Sequence, residues 1–199
     1  MEKIRIFGFA GSARPQSHNR MLLALAAKVA REAGCEVDIA EISEFPMPIY
    51  DGEHEREHGQ PKAAKALKAR MLAADALLLA CPEYNASVTP LMKNTIDWIS
   101  RPQPGEPNAF KLKPTGLISA SIGGLGGLRG LVTVRTVLNQ LGALVTPTQF
   151  ALASAQTAFD TDGGLVNAAQ RQMLQDALAE LVTIARAMRL VEASQRVPA

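Results

Sequence analysis

The chain has 199 residues, 47% of them hydrophobic and 20% charged, with a net charge of +2 at neutral pH. That length suits one domain with a sizeable core, and the composition lies far from the disordered class. So small a net charge gives no electrostatic ground for a nucleic-acid or membrane-surface partner. The two cysteines, Cys35 and Cys81, lie far apart, with no C-x-x-C spacing and no histidine cluster beside them. Neither a disulfide framework nor a metal site is expected, and a reducing cytoplasm is the natural setting. No apolar run approaches the roughly 20 residues of a spanning helix, and the first residues lead into a strand pattern rather than a secretory h-region.

Lys3–Ala10, with Ile4, Ile6, Phe7 and Phe9, reads as a first strand. The turn-rich Gly11–Asn19 follows. A helix begins at Arg20 with Met21, Leu22, Leu25, Ala26 and Val29 as its apolar stripe, and Gly34 ends it. Glu36–Ile42 alternates as a second strand. Ser43–Gln60 is punctuated by Pro46 and Pro48, and its charged run Glu53–His58 is expected as a solvated loop or helix start. His54 and His58 have the i, i+4 spacing of a metal pair, with no third ligand apparent. Pro61 opens a second helix with Leu67 and Met71 inward.

Ala76–Cys81 is a short unbroken apolar run, the pattern of a strand buried on both faces, and Pro82 ends it. Thr89 offers a cap oxygen and Pro90 sits at N1 of a third helix whose apolar face carries Ile96 and Ile99. The proline-rich Arg101–Pro114 is a long connection of the kind that borders sites. Thr115–Ala120 reads as a fourth strand, Ser121–Gly127 as a glycine-rich loop, and Leu128–Leu141 as a fourth helix closed by Gly142. Ala143–Thr146 reads as a short fifth strand stopped by Pro147, with irregular chain to Leu165 and a last helix over Val166–Leu190. Residues 1–190 are expected to form a single domain, with 191–199 as a tail.

Five strands alternating with helices predict an α/β three-layer sandwich. Its sheet is parallel, in the flavodoxin-like order 2-1-3-4-5, with helices on both faces. The loops after strands 1, 3 and 4 then converge at the carboxyl edge, where open α/β sheets bind ligands. Ser12, Arg14, Ser17 and Asn19 precede a helix N-terminus, where free N–H groups and the dipole favour an anion. The Walker Gly-Lys-Ser/Thr and the G-x-G-x-x-G fingerprint are both absent. The loop has no cysteine nucleophile and the strand before it ends in no carboxylate, so this is a loop that holds a phosphate rather than attacks one.

Gly11–Asn19 resembles the G-S-x-R-x-x-S-x-N phosphate loop of the NADPH-dependent FMN reductases. Pro82–Trp98 resembles their P-E-Y-N-x-S-x-P-x-x-x-K-N-x-I-D-W signature, with Thr89 where the pattern has proline and Pro90 one place later. Ser121–Arg129 resembles their third loop, S-x-G-x-x-G-G-x-R. The resemblance implies FMN as cofactor and NADPH or NADH as electron donor. Acceptors would be quinones, azo dyes, nitroaromatics or chromate. Carried over by position, Ser12, Arg14, Ser17 and Asn19 would take the phosphate, with His18 beside them. Pro82, Glu83, Tyr84 and Asn85 would lie along the ring and ribityl chain, with Ser121 and Gly123 bordering the ring. The resemblance also implies a homodimer or homotetramer, for which Arg101–Pro114 and the third helix are candidate contacts.

Each of these residues also has a structural role open to it. Glu83 would only orient its loop, Lys93 and Asn94 would brace, Trp98 and Cys81 would pack, and Gly126 and Gly127 would let the fourth helix approach the sheet. The competing function is a flavodoxin-like electron carrier. A carrier uses a strongly charged docking face, and a net charge of +2 offers no such excess.

Overall fold

The computed structural model describes residues 2–195. In chain order the first half comprises β1 (Arg5–Ala10), α1 (His18–Glu32), β2 (Glu36–Ala40), α2 (Gly52–His58), α3 (Lys62–Ala73) and β3 (Ala76–Ala80). The hairpin strands β4 (Glu83–Tyr84) and β5 (Ser87–Val88) come next, then α4 (Pro90–Ile99), β6 (Pro114–Ala120), α5 (Leu128–Gln140), β7 (Leu144–Leu152), α6 (Ala155–Ala158) and α7 (Ala168–Gln195). The main sheet is parallel in the order β2-β1-β3-β6-β7. Counting only its own strands, this is the expected 2-1-3-4-5 flavodoxin-like arrangement.

The central strand explains the layering. Every residue of β3 is buried, because helices cover both faces of a parallel sheet. Leu78 points with Ile6, Ile118 and Phe150 into the layer closed by α1 and α7. Its neighbours Leu77 and Leu79 point with Phe7, Phe9 and Leu117 into the opposite layer, under α3, α4 and α5. The α1 face is rotated slightly from the expected stripe. Leu22 and Ala26 are buried as expected, but Leu23, Ala27 and Ala30 join them, and Met21 is exposed. Lodged between the sheet and α7, α1 buries a stripe wider than one helical edge.

Two expectations change, at the fifth strand and the last helix, and the charged run is solvated helix as expected. β7 does not stop at Pro147 but continues to Leu152. It is an edge strand, where a missing N–H on the outer side costs nothing. Opposite the Thr115–Leu117 step of β6 its register advances from Val145 to Gln149, an irregularity that accommodates the proline. The Arg135 guanidinium donates to the carbonyls of Val145, Thr146 and Pro147 at 3.3, 2.5 and 3.3 Å, satisfying groups the irregular ladder leaves free. The charged run forms α2, whose first N–H groups, Glu53 and His54, donate to the Asp51 carboxylate at 2.8 and 3.1 Å. The last helix starts at Ala168 and runs to Gln195, so the tail expected from residue 191 begins as helix; residues 196–199 lie outside the described ones.

The apolar face of α4 is satisfied within the chain. Met92, Ile96, Trp98 and Ile99 are buried, and the Trp98 indole N–H donates to the Pro48 carbonyl at 2.7 Å. Asn94 grips the same segment: its Nδ2 donates to Pro48 O at 2.9 Å and its Oδ1 accepts from Tyr50 N at 2.8 Å. Lys93 pairs with Asp97 one turn on. These residues brace and pack within the chain.

Candidate functional site

Backbone and side-chain ties draw three loops together at the carboxyl edge of the sheet. The Gly11 N–H donates to Ala80 O at 2.9 Å, which carries the first loop alongside the end of β3. The Thr89 hydroxyl donates to Gly11 O at 2.8 Å and accepts from Met92 N at 3.3 Å, so one residue caps α4 and anchors the first loop to the second. Gly11 is required here, since a Cβ would stand 2.7 Å from the Met92 Cβ.

The Ser17 side chain caps α1, accepting from Arg20 N at 3.4 Å, and Met21 N donates to Ser17 O. The His18 and Asn19 N–H groups have no backbone partner among the described residues, so two first-turn donors remain for an anion. Ser12 is half-buried and Arg14 exposed; the Ser12 Oγ accepts from Arg14 N at 3.4 Å. Asn19 has another task than the expected phosphate contact. Its buried amide donates to Ala120 O at 2.7 Å and its Oδ1 accepts from Ala120 N at 3.0 Å. The side chain locks α1 to the end of β6, and its main-chain N–H is free for a ligand.

The second loop is a tight hairpin that sequence reading missed. Glu83–Tyr84 pairs antiparallel with Ser87–Val88, and the two turn residues Asn85 and Ala86 have φ of 50° and 61°. A two-residue turn with both central residues left-handed matches the twist of a hairpin, and asparagine tolerates it; alanine does so at a cost of about 1 kcal/mol. Ala86→Gly is therefore expected to raise stability by about 0.5–1 kcal/mol, read as a higher denaturation midpoint at unchanged slope. A lower midpoint would contradict the turn assignment.

Glu83 holds this hairpin to the third loop. Its carboxylate accepts from Arg129 Nε at 2.8 Å and from Gly130 N at 3.1 Å, capping α5, whose N-cap Gly127 has no side chain to offer. Burial pushes the Glu83 pKa up, but the hydrogen bonds from Arg129 and Gly130 and the Arg129 charge outweigh it and hold the group below its ordinary value. It is an ionised strut. In the third loop the Ser121 Oγ accepts from Gly123 N at 3.2 Å. Gly126, at φ 62°, lies so close to the β7 backbone that a Cβ would fall 2.7 Å from the carbonyl carbons of Ala151 and Leu152. The two glycines do let α5 start hard against the sheet.

A cleft of about 200 Å³ opens between these loops. Ser12, Arg14, Ser17, His18 and Asn19 form one wall, Pro82, Glu83 and Tyr84 a second, and Ala120, Ser121 and Ile122 the third. Asn85, at the hairpin turn, and Gly123 are not among the lining residues. A wider groove of about 520 Å³ adjoins it, sharing Ser12, Arg14 and Tyr84 and extending to Thr89–Leu91. Arg129 and Phe159 are the partners that sequence reading did not assign. Arg129 stood in the third motif without a role, and Phe159 lies in a stretch that has no periodicity to read. Far from the cleft, the His54 and His58 rings lie 4.6 Å apart, and no group of three or more potential metal ligands occurs among the described residues.

The donor set fits the phosphate end of FMN. Two free N–H groups at a helix N-terminus, two hydroxyls and a guanidinium converge there, and the His18 Nδ1 is buried with no partner. A flavodoxin-like sheet with such a cleft at its switch point defines a flavin-nucleotide-binding α/β protein. The family model for NADPH-dependent FMN reductase matches residues 4–157, and the chain belongs to that family of oxidoreductases. It is 35% identical over 189 residues to an NAD(P)H-dependent FMN reductase of Pseudomonas aeruginosa, covering 94% of this chain and 98% of that one. It is equally 35% identical over 187 residues to an NAD(P)H:quinone oxidoreductase of Solanum tuberosum, covering 92% and 93%. Among solved structures it is similar to FerB, a flavoenzyme NAD(P)H:(acceptor) oxidoreductase from Paracoccus denitrificans, with a TM-score of 0.80, 27% identity and coverage of 92% and 98%. No helix among the described residues is long and apolar enough to cross a membrane.

Proposed function

We propose that the chain oxidises NADPH or NADH through FMN held in the three-loop cleft and passes the electrons to a quinone, azo, nitroaromatic or metal-oxyanion acceptor. The observation that carries this reading is the convergence of a phosphate-ready helix N-terminus with two rigid loops at one edge of the sheet. The Pseudomonas and Solanum relatives support the choice of donor and the quinone as acceptor.

In this reading the Ser12 and Ser17 hydroxyls, the Arg14 guanidinium and the main-chain N–H groups of His18 and Asn19 bind the phosphate. The Asn19 amide fixes the distance between that anchor and β6. Pro82, Glu83 and Tyr84 would orient the ring from one side and Ser121 would border it from the other, with Asn85 and Gly123 shaping the turns that carry them. Glu83 keeps the two loops in register without donating or accepting a proton. When bound, the flavin supplies hydride acceptance and electron delivery, and the protein supplies position and electrostatics. Donor and acceptor use the same opening in turn, which makes the kinetics ping-pong. Steady-state rates against NADPH at several quinone concentrations test this: parallel double-reciprocal lines are expected, and intersecting lines would overturn the shared opening.

The working form is one FMN-binding domain per chain in a homodimer or homotetramer, in the reducing cytoplasm. Both cysteines are buried free thiols, in keeping with that setting. Exposed Leu125, Leu128 and Val132 beside the cleft are better contact candidates than α4. A monomeric mass in solution would contradict the assembly.

A further inference from the structure

The cleft contains one group for which the phosphate-binding set above finds no use. His18 is the first residue of α1 and lines the cleft, and its Nδ1 is buried without a hydrogen-bond partner among the described residues. A buried nitrogen left without a partner is unfavourable. The ring lies parallel to that of Phe159, with centroids 6.4 Å apart and an angle of 6°. It is supported on one face.

The charges around it do not balance a phosphate. A phosphomonoester carries roughly −1.5 to −2 at neutral pH. Among the described residues, Arg14 is the one cation lining the cleft. Arg20, two residues on in the first turn of α1, is paired with Glu41, and Arg129 is paired with Glu83. From the segment behind the ring, Asp160 is turned into its own loop, accepting from Asp162 N at 3.0 Å and Gly164 N at 2.7 Å. Glu83, the carboxylate across the cleft, is held by Arg129 and Gly130 N. One guanidinium therefore faces up to two negative charges, beside an imidazole that has no carboxylate of its own.

We propose that His18 is the second cation of this phosphate site, present only when its ring carries a proton, so that capture of FMN takes up a proton from solvent at His18. The inference rests on the FMN reading above. The protonated ring, which lines the cleft, sets its positive charge beside the phosphate and completes the charge. Histidine is the side chain whose charge changes between about pH 5 and 8. Because the bound anion favours the protonated ring, affinity falls as pH rises above neutrality. The protein would hold its flavin more tightly near neutrality and exchange it more readily in alkaline conditions, while in acid the phosphate's own second protonation, at about pH 6, takes charge from the anion.

The test is calorimetric titration of the FMN-free full chain with FMN at about pH 7.5, in two buffers of different ionisation enthalpy. Proton uptake on binding is expected for the wild type and is expected to vanish for His18→Gln, whose affinity should also lose most of its decline with pH. His18→Lys supplies the charge permanently, so it should bind FMN tightly with no proton uptake, and it keeps the test open should His18→Gln fold poorly. Riboflavin, which lacks the phosphate, should bind without uptake. Wild-type binding of FMN with no proton uptake, or equal uptake in His18→Gln, overturns the proposal and leaves the FMN reading intact. Absence of FMN binding by the wild type overturns both.

Discussion

Replacing Asn19 with leucine is expected to destabilise the protein by about 2–5 kcal/mol, although the two side chains are similar in size. The Asn19 amide is 4% exposed and makes a two-way hydrogen-bonded contact with the backbone of Ala120. Removing it leaves a buried N–H and a buried carbonyl at the end of β6 without partners, each at a cost of about 1–3 kcal/mol. Helix α1 also loses its tether to the fourth strand of the sheet, so FMN affinity should fall with stability. Denaturant unfolding reads the first effect as a lower midpoint, and flavin fluorescence reads the second. Asn19→Asp separates the two halves of the contact. It keeps an acceptor for Ala120 N, but sets a carboxylate against Ala120 O. A loss below about 0.5 kcal/mol for the leucine variant would show that the brace is not load-carrying.

Arg14→Gln has the opposite profile. Arg14 is exposed and its side chain makes no ion pair among the described residues, so stability should hardly change. A charge-assisted hydrogen bond to phosphate contributes about 1.5–3 kcal/mol, so FMN affinity should fall by roughly ten- to 150-fold. Riboflavin affinity should be unaltered, and the salt dependence of FMN binding should weaken in the variant. An equal loss for both flavins would place Arg14 at the ring rather than at the phosphate.

Much of the architecture is legible in residue order because its causes are local. Ala76–Ala80 is apolar throughout, since two helical layers cover it. Thr89 and Pro90 mark the start of α4 where the structure has it, whereas α1 starts at His18, capped by Ser17, two residues before the expected Arg20. Pro147 misled for a physical reason: proline ends a strand only where both edges need donors, and β7 has a free edge. The hairpin escaped notice because two two-residue strands carry no periodicity, and Ala86 stands where a turn of this kind favours glycine. At the site, residue types were legible but partners were not. Asn19 reads as a phosphate donor until Ala120, 101 residues away, is seen to occupy it. Glu83 reads as a group that orients its loop, but the partners that let it do so, Arg129 and Gly130, are visible only in the fold.

The central claim is that FMN in the three-loop cleft is reduced by a nicotinamide nucleotide. Anaerobic titration of the FMN-loaded protein with NADPH, and separately with NADH, tests it most directly. The account predicts that about one equivalent of at least one nucleotide bleaches the oxidised-flavin band, and that a quinone added afterwards restores it. Bound FMN that neither nucleotide bleaches would contradict it.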